Sequence, residues 1–325
     1  MVKVLQIRET PVSKSDGLDA NVQGVVKLFA DDLDVEMLPV INYTVHHIPL
    51  LGQSYIDKHE ICESIEKYAP DIIHVHGTYS FTLVVAVKAA RKYKKPIILS
   101  SHFHPFWSLR RPLMGRMFFN LITRNVIKEI NTILTINNED TSIFKQYHNN
   151  VVTIPHWSKF PPEVDLPVKD KLKILFVGRL AETNKGFDHL WHLPEGKYDI
   201  HCVGSGDIPL RSDMHKHLNI SDEELHELYR KASLLVVPSR YEAFSYAALE
   251  ALMCGTPIVC SERVRIADYL DGISGYRIFK YQDYDAFVKA VEETIGKTVD
   301  VNKVVDTFSP MRIKELYKKE YLRLI

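Results

Sequence analysis

Two glutamates eight residues apart, Glu242 and Glu250, frame the stretch of this chain whose residue types and spacing agree best on a chemistry. Acid–base work on a glycosidic bond needs two carboxyl groups about 5–9.5 Å apart. Eight residues of helix would separate this pair by roughly 12 Å, at about 1.5 Å per residue. One glutamate also precedes the helix while the other lies inside it. The pair is therefore read as having two tasks: Glu242 at a sugar, and Glu250 accepting hydrogen bonds from vicinal hydroxyls such as those of a ribose. Between them, Ser245 suits the N-cap of a helix over 246–254, and Gly255 suits its C′ position. The N–H groups near Phe244, Ser245 and Tyr246 then stand at a helix start, where the dipole favours an anion such as phosphate.

Stepping outward, the apolar run 234–237 reads as a buried parallel strand, followed by a turn over 238–242. The helix comes next, then a second buried strand over 257–259. This is a strand–helix–strand unit of an open α/β sheet, in which ligands sit beyond the carboxyl ends of the strands. The segment VVPSRYEAFSYAALEALMCGTPIV, with its Glu-x7-Glu, closely resembles the signature of the retaining glycosyltransferases of family four (glycosyl transferases group 1), which have the GT-B fold. Ala243 and Ser245 stand where that family commonly has glycine.

The resemblance extends along most of the chain. Gly178-Arg179-Leu180, followed by Lys185-Gly186-Phe187-Asp188 after a strand over 173–177, resembles the family's Gly-Arg-Leu…Lys-Gly-x-Asp. It implies that Arg179 and Lys185 supply two cations to the diphosphate of a nucleotide sugar, the first through its fork and the second as a point charge. Their contribution would be electrostatic stabilisation of the leaving group. Asp71-Ile72-Ile73-His74-Val75-His76 resembles the family's Asp-x-Ile-His-x-His segment. His74 reads as a core imidazole, while His76 fits a core or a site role equally. After a strand over 96–101, His102 best matches the histidine that faces the donor sugar in the family, with His104 as the alternative and Pro105 stiffening the turn. Gly17, ahead of the first helix, occupies the place of the family's glycine-rich turn. Pro155-His156-Trp157 stands where the family often has Pro-Asn-Gly. Gly204-Ser205-Gly206 resembles a turn that approaches the nucleotide, though a tight turn explains it as well.

Other patterns have ordinary structural explanations. Asp32-Leu33-Asp34 and Asp283-Tyr284-Asp285 have the Asp-x-Asp form of a metal motif, but the first falls in a connection and the second at a helix start, where capping accounts for it. No motif here calls for a metal or a cofactor. Forty-one basic and forty-one acidic side chains cancel, which argues against general nucleic-acid binding. Four cysteines show neither metal spacing nor a paired pattern, as expected of a reduced cytosolic protein. A strand expected to begin at Met1–Val2 would leave no room for a signal peptide, and no apolar run approaches the roughly 20 residues of a membrane span.

Charge is unevenly placed all the same. Residues 72–128 hold ten Lys or Arg and no Asp or Glu. In the second half, Arg110, Arg111 and Arg116 interleave with Trp107, Leu113, Met114, Met117, Phe118 and Phe119. A basic amphipathic segment suits an anionic membrane surface, which would place a lipid-linked acceptor on the cytoplasmic leaflet.

The expectation is an α/β protein of GT-B fold, with two Rossmann-like domains whose parallel sheets face each other across a cleft. The Pro-rich run 161–167 marks the boundary. Residues 1–165 form the acceptor-side domain, 166–308 the nucleotide-sugar domain, and a last helix over 309–325 packs back on the first. By the resemblance, the chain moves a sugar, with retention, from a UDP- or GDP-sugar to a saccharide or lipid-linked acceptor in cell-surface polysaccharide or glycolipid assembly. It would do so by a front-face mechanism without metal. The rivals are an epimerase or hydrolase of sugar nucleotides on the same fold, and an idle nucleotide-sugar-binding partner subunit.

Overall fold

Alternating strand and helix patterns with buried apolar runs specify parallel sheets, and two form. The computed structural model describes residues 1–8, 17–38, 44–48, 53–103, 105–106, 109, 111–163 and 168–325. His104, Trp107, Arg110, the loop 9–16 and residues 164–167 of the Pro-rich run lie outside them.

The chain divides into two compact units, one of residues 1–156 with 313–325 and one of residues 157–312. The first contains strands β1 (Lys3–Arg8), β2 (Asp34–Met37), β5 (Ile72–His76), β6 (Ile97–Ser100), β7 (Thr132–Thr135) and β8 (Val151–Thr153), in the order β2-β1-β5-β6-β7-β8. All are parallel. A separate antiparallel hairpin joins β3 (Val45–Ile48) and β4 (Gln53–Ile56). The helices are α1 (Gly17–Leu28), α2 (Lys58–Tyr68), α3 (Phe81–Lys92), α4 (Pro112–Phe118), α5 (Arg124–Val126) and α6 (Asn138–Phe144). Gly17 thus opens α1. A π-helical turn over Phe119–Thr123 links α4 to α5.

The second unit holds β9 (Lys173–Val177), β10 (Asp199–Val203), β11 (Met214–His217), β12 (Leu234–Val237), β13 (Ile258–Ser261) and β14 (Tyr276–Phe279). Their order is β11-β10-β9-β12-β13-β14, again all parallel. Its helices are α7 (Asp222–Lys231), α8 (Tyr246–Met253), α9 (Tyr284–Thr294) and α10 (Val301–Phe308); α11 (Pro310–Leu322) then carries the chain into the first unit. Both sheets reverse direction beside their first strand, between β1 and β5 in one and between β9 and β12 in the other. Such a reversal opens a crevice at the carboxyl ends of the strands.

The division falls at 156/157, ahead of the Pro-rich run. Phe160 stacks on His226, and Glu163 takes the Met253 carbonyl with its N–H and the Arg230 guanidinium with its carboxylate. These contacts hold 157–163 to the second unit. The last helix is fixed to the first by its aromatic face. Tyr317 and Tyr321 pack edge-on against Phe29, and Lys314 and Lys318 pair with Asp32 at 3.1 and 3.6 Å. Asp32 therefore anchors a helix, and Asp283 caps α9 through the Ala286 N–H.

Candidate functional site

Three loops meet at the reversal point of the second sheet. After β9 the chain runs through Gly178 and Arg179 to Lys185 and Gly186. Gly186 adopts φ +68°, and a Cβ there would lie 2.0 Å from the Pro238 carbonyl oxygen. Only glycine lets this loop rest on the end of β12. Asn184 strengthens the seam, donating its side-chain amide to the Tyr241 carbonyl at 3.0 Å and accepting from the Arg240 N–H at 2.8 Å. On the other side, Glu242 exchanges backbone bonds with Arg263 and Arg265, and Phe244 accepts from the Ile266 N–H. The segment from Pro238 to Ser245 is thus clamped from both flanks.

Glu242 projects from this clamped segment. Its Oε1 accepts from Lys185 Nζ at 2.6 Å and from Ser239 Oγ at 3.0 Å. Both members of the ion pair are about four-fifths shielded from water, at 22% and 19% side-chain exposure. The lysine stem lies over Gly178, in contact with where its Cβ would be. Arg179 is different: its side chain is 68% exposed and pairs with Glu182 at 2.7 Å. The two expected cations are therefore neighbours in the chain path but not equals, one braced against Glu242 and one reaching into solvent.

Helix α8 begins where the sequence places it. The Ser245 hydroxyl accepts from the Ala248 N–H at 3.4 Å, and Gly255 follows the helix with φ +64°. Ser245 itself takes φ +93° and ψ +96°. That region costs a residue with a Cβ on the order of 1–3 kcal/mol. Phe244 is buried against Tyr246, Tyr269 and Phe308, so its ring anchors the loop and only its backbone can face a ligand. Within α8, Glu250 is 7% exposed and accepts from the Tyr229 hydroxyl at 3.0 Å. Burial pushes its carboxyl up to about 7, against the pull of Lys159 and Tyr229. Lys169, donating to the carbonyls of Arg230 and Cys254, ties the carboxyl ends of α7 and α8 together.

The reversal point of the first sheet carries imidazoles. His74, His76, His102 and His156 form a ladder, with ring centroids 4.3, 5.4 and 6.3 Å apart and planes within 29° of parallel. Its bonding is directional. The Gln6 side-chain carbonyl lies 2.5 Å from His76 Nε2, so that nitrogen carries the proton and donates. His76 Nδ1 then accepts from His102 Nε2–H at 3.1 Å. The Gln6 amide nitrogen donates to the Tyr321 hydroxyl at 3.2 Å, which donates to His74 Nδ1 at 2.8 Å, and His74 Nε2–H donates to Ser100 at 2.8 Å. Burial pushes His74 and His156 down to about 3, and His76 well below the usual imidazole range. These three rings are neutral at physiological pH. His102, at the end of β6, has φ +38°, the left-handed region rarely taken by a residue with a side chain.

Of the residues singled out from sequence, Glu242, Lys185, Arg179, Phe244, Ser245, Tyr246 and Glu250 all lie at the second reversal point or in the helix that starts there, while His102 belongs to the first unit. Among the contributors to the first site, Gln6, Arg8, Ser100 and Tyr321 carried no motif, and His156 was marked only by standing where the family often has Pro-Asn-Gly. Gln6 and Arg8 stand out in the sequence as polar residues among Val4, Leu5 and Ile7, and the structure pairs Arg8 in register with His76 at 4% exposure. In the basic segment, Arg111 and Arg116 are exposed, with Leu113, Met117 and Leu121 at four-residue spacing beside them, 84%, 53% and 66% exposed.

Comparison with known proteins agrees with this fold. Residues 171–297 match the family model for glycosyl transferases group 1, and residues 25–157 that for glycosyltransferase family 4. An uncharacterised glycosyltransferase of Methanocaldococcus jannaschii is 26% identical over 316 residues, covering 88% of each chain. Sucrose-phosphate synthase from Thermosynechococcus elongatus superposes with a TM-score of 0.77 at 18% identity, covering 100% of this chain and 99% of that one. The Anabaena protein HepE, solved in complex with UDP-glucose, gives 0.75 at 14% identity with full coverage of both chains. The chain belongs to the glycosyltransferases of the GT-B fold.

Proposed function

We propose that this glycosyltransferase transfers, with retention, the sugar of a UDP- or GDP-sugar held by the second unit to a saccharide or lipid-linked acceptor received by the first. The observation that carries the reading is the shielded Lys185–Glu242 pair at the start of α8, on the reversal point of the second sheet. Lys185 exchanges its carboxylate partner for a β-phosphate oxygen as the donor enters, and Glu242, released, accepts from the sugar hydroxyls. Arg179 swings from Glu182 onto the diphosphate. The N–H groups around Phe244, Ser245 and Tyr246 add the helix dipole. Glu250 accepts from the ribose hydroxyls, and His102 contacts the sugar. As the glycosyl bond breaks, the charge building on the leaving diphosphate is stabilised by groups already in place. The leaving phosphate takes the acceptor proton on the same face, so no protein nucleophile and no metal is needed.

The setting is cell-surface polysaccharide or glycolipid assembly in the cytoplasm, on the inner face of the membrane. No helix among the described residues is long and apolar enough to cross a membrane. Docking instead uses Leu113, Met117 and Leu121 with Arg111 and Arg116, joined by Trp107 and Arg110. Beside them, a largely apolar cavity of about 420 Å³, lined by Phe103, Pro105, Phe106, Pro112, Leu113 and Ile143 with Arg116 and Glu139, offers room for the chain of an acceptor. Turnover assays over a panel of nucleotide sugars, with and without acceptor, test the activity, and NMR of the product's anomeric proton tests retention. Inversion, or consumption of the donor at the same rate without acceptor, contradicts the proposal. Flotation on anionic liposomes tests docking; protein that stays unbound at low salt removes it.

A further inference from the structure

At the edge of the second unit's sheet, β10 and β11 pair with His201 opposite His215. Residues two apart on a strand share a face. Asp199 and His201 from β10, and His215 and His217 from β11, therefore stand on the same side of the sheet. Asp199 Oδ2 lies 3.0 Å from His201 Nε2, and its Oδ1 lies 3.1 Å from His215 Nε2. One ligand atom from each of the three residues lies within 4.8 Å of the other two. Two atoms bound tetrahedrally to one zinc ion at about 2.0–2.1 Å are themselves about 3.3 Å apart, so the spacing fits with small side-chain shifts.

A second feature supports the set. An imidazole that gives Nε2 to a metal keeps its proton on Nδ1 and donates it to an outer partner, which fixes the ring. His201 Nδ1 has that partner in His217 Nε2, 2.8 Å away, with the two rings stacked at 17°. We propose that Asp199, His201 and His215 bind a divalent transition-metal ion of the zinc class, and that His217 orients His201. Two imidazoles with one carboxylate suit Zn²⁺ and its neighbours rather than Mg²⁺ or Ca²⁺, which prefer oxygen-only sets. Three protein ligands leave a position for water, and the site opens outward, Asp199 and His215 being 45% and 55% exposed. The nearby Lys173 charge is compensated by Asp170 at 2.5 Å.

The position sets the role. Asp199 is the first residue of β10, whereas the donor loops follow the carboxyl ends of the strands. The ion cross-links the edge strand β11 to β10 and stabilises the sheet without entering the transfer reaction.

The test uses the full chain without an affinity tag, stripped by chelator and titrated with Zn²⁺ by calorimetry and with Co²⁺ by visible absorption. The expected result is one ion per chain, tetrahedral Co²⁺ bands, and a melting temperature raised by Zn²⁺. His215→Ala, an exposed position whose fold circular dichroism checks, loses the bands and binds at least tenfold more weakly. His217→Ala keeps the three ligands and weakens binding about 10–100-fold. Turnover is unchanged in His215→Ala. Absence of binding in the native chain, or equal binding by the native chain, His215→Ala and Asp199→Asn, overturns the proposal.

Discussion

The two reversal points occupy the same place in two parallel sheets and are furnished in opposite ways. Beside β1 and β5 stand stacked imidazoles, of which the buried His74, His76 and His156 are neutral, linked by one-directional hydrogen bonds that run through Gln6 to Tyr321, with the buried Arg8 guanidinium beside His76. Beside β9 and β12 they are ions, Lys185 on Glu242 with Arg179 in solvent nearby. Shared topology supplies a crevice in each unit, and the residues at the strand ends decide what it can hold. A charged, rigid, partly shielded crevice suits a diphosphate. One lined by neutral, hydrogen-bonded imidazoles suits hydroxyl groups, whose protons need fixed acceptors.

The largest expected effect separates the two sites directly. Lys185→Ala and Glu242→Ala each lower turnover by about 10²–10³-fold, as loss of one preorganised charge does elsewhere. The double variant is worse than either single one, the losses at least multiplying, because in the reacting complex Lys185 serves the diphosphate and Glu242 the sugar. Initial rates on folded protein check this; a double variant no worse than either single one would mean that the two stay paired and act on one group. Arg179→Ala, exposed and flexible, costs only about tenfold, or about 1.4 kcal/mol.

Acid sharpens the contrast. His74 and His156 have pKa values depressed to about 3, so the folded first unit binds fewer protons than its unfolded chain between there and the ordinary imidazole value near 6.5. Their stability contribution is complete above about 6.5 and is lost as pH falls towards 3, on the order of 5 kcal/mol for each ring fully protonated. Hydrogen exchange at pH 5 against pH 7.5, corrected for intrinsic rates, is expected to show protection lost in β5 and β6 before β12 and β13. Simultaneous loss would contradict the assignment.

Glu250 works in the opposite sense. Its pKa is raised to about 7, so its burial favours the fold below the ordinary carboxyl range, and that advantage is lost as pH rises through 7. Ribose hydroxyls donating to it favour the ionised form. Nucleotide binding near pH 6.5 should then release a substantial fraction of one proton, measurable by calorimetry in buffers of different ionisation heat, and Glu250→Gln should abolish the release and weaken binding about tenfold.

Much of the second site was legible because it is local. The cap at Ser245, the terminator at Gly255 and the apolar runs of β9 and β12 lie in short stretches whose residue types dictate backbone. The first site was only half legible. Tyr321 reaches His74 across 247 positions of sequence, and no spacing rule links them. The edge strands β11 and β14 were missed because they are half exposed and lack the apolar run that marks a central strand. The strain at Ser245 was not readable either, since a good N-cap residue need not take a positive φ. It yields the smallest predicted effect. Ser245→Gly relieves the backbone and forfeits only a few tenths of a kcal/mol of capping. It should therefore raise stability by about 1 kcal/mol, seen as a higher denaturation midpoint at unchanged slope.

The most direct test is a crystal structure of the chain soaked with UDP or GDP. The account predicts diphosphate oxygens within hydrogen-bonding distance of Lys185 Nζ and of the N–H groups at the start of α8, with Glu242 no longer paired to the lysine. A diphosphate bound elsewhere, with the Lys185–Glu242 pair intact, would contradict it.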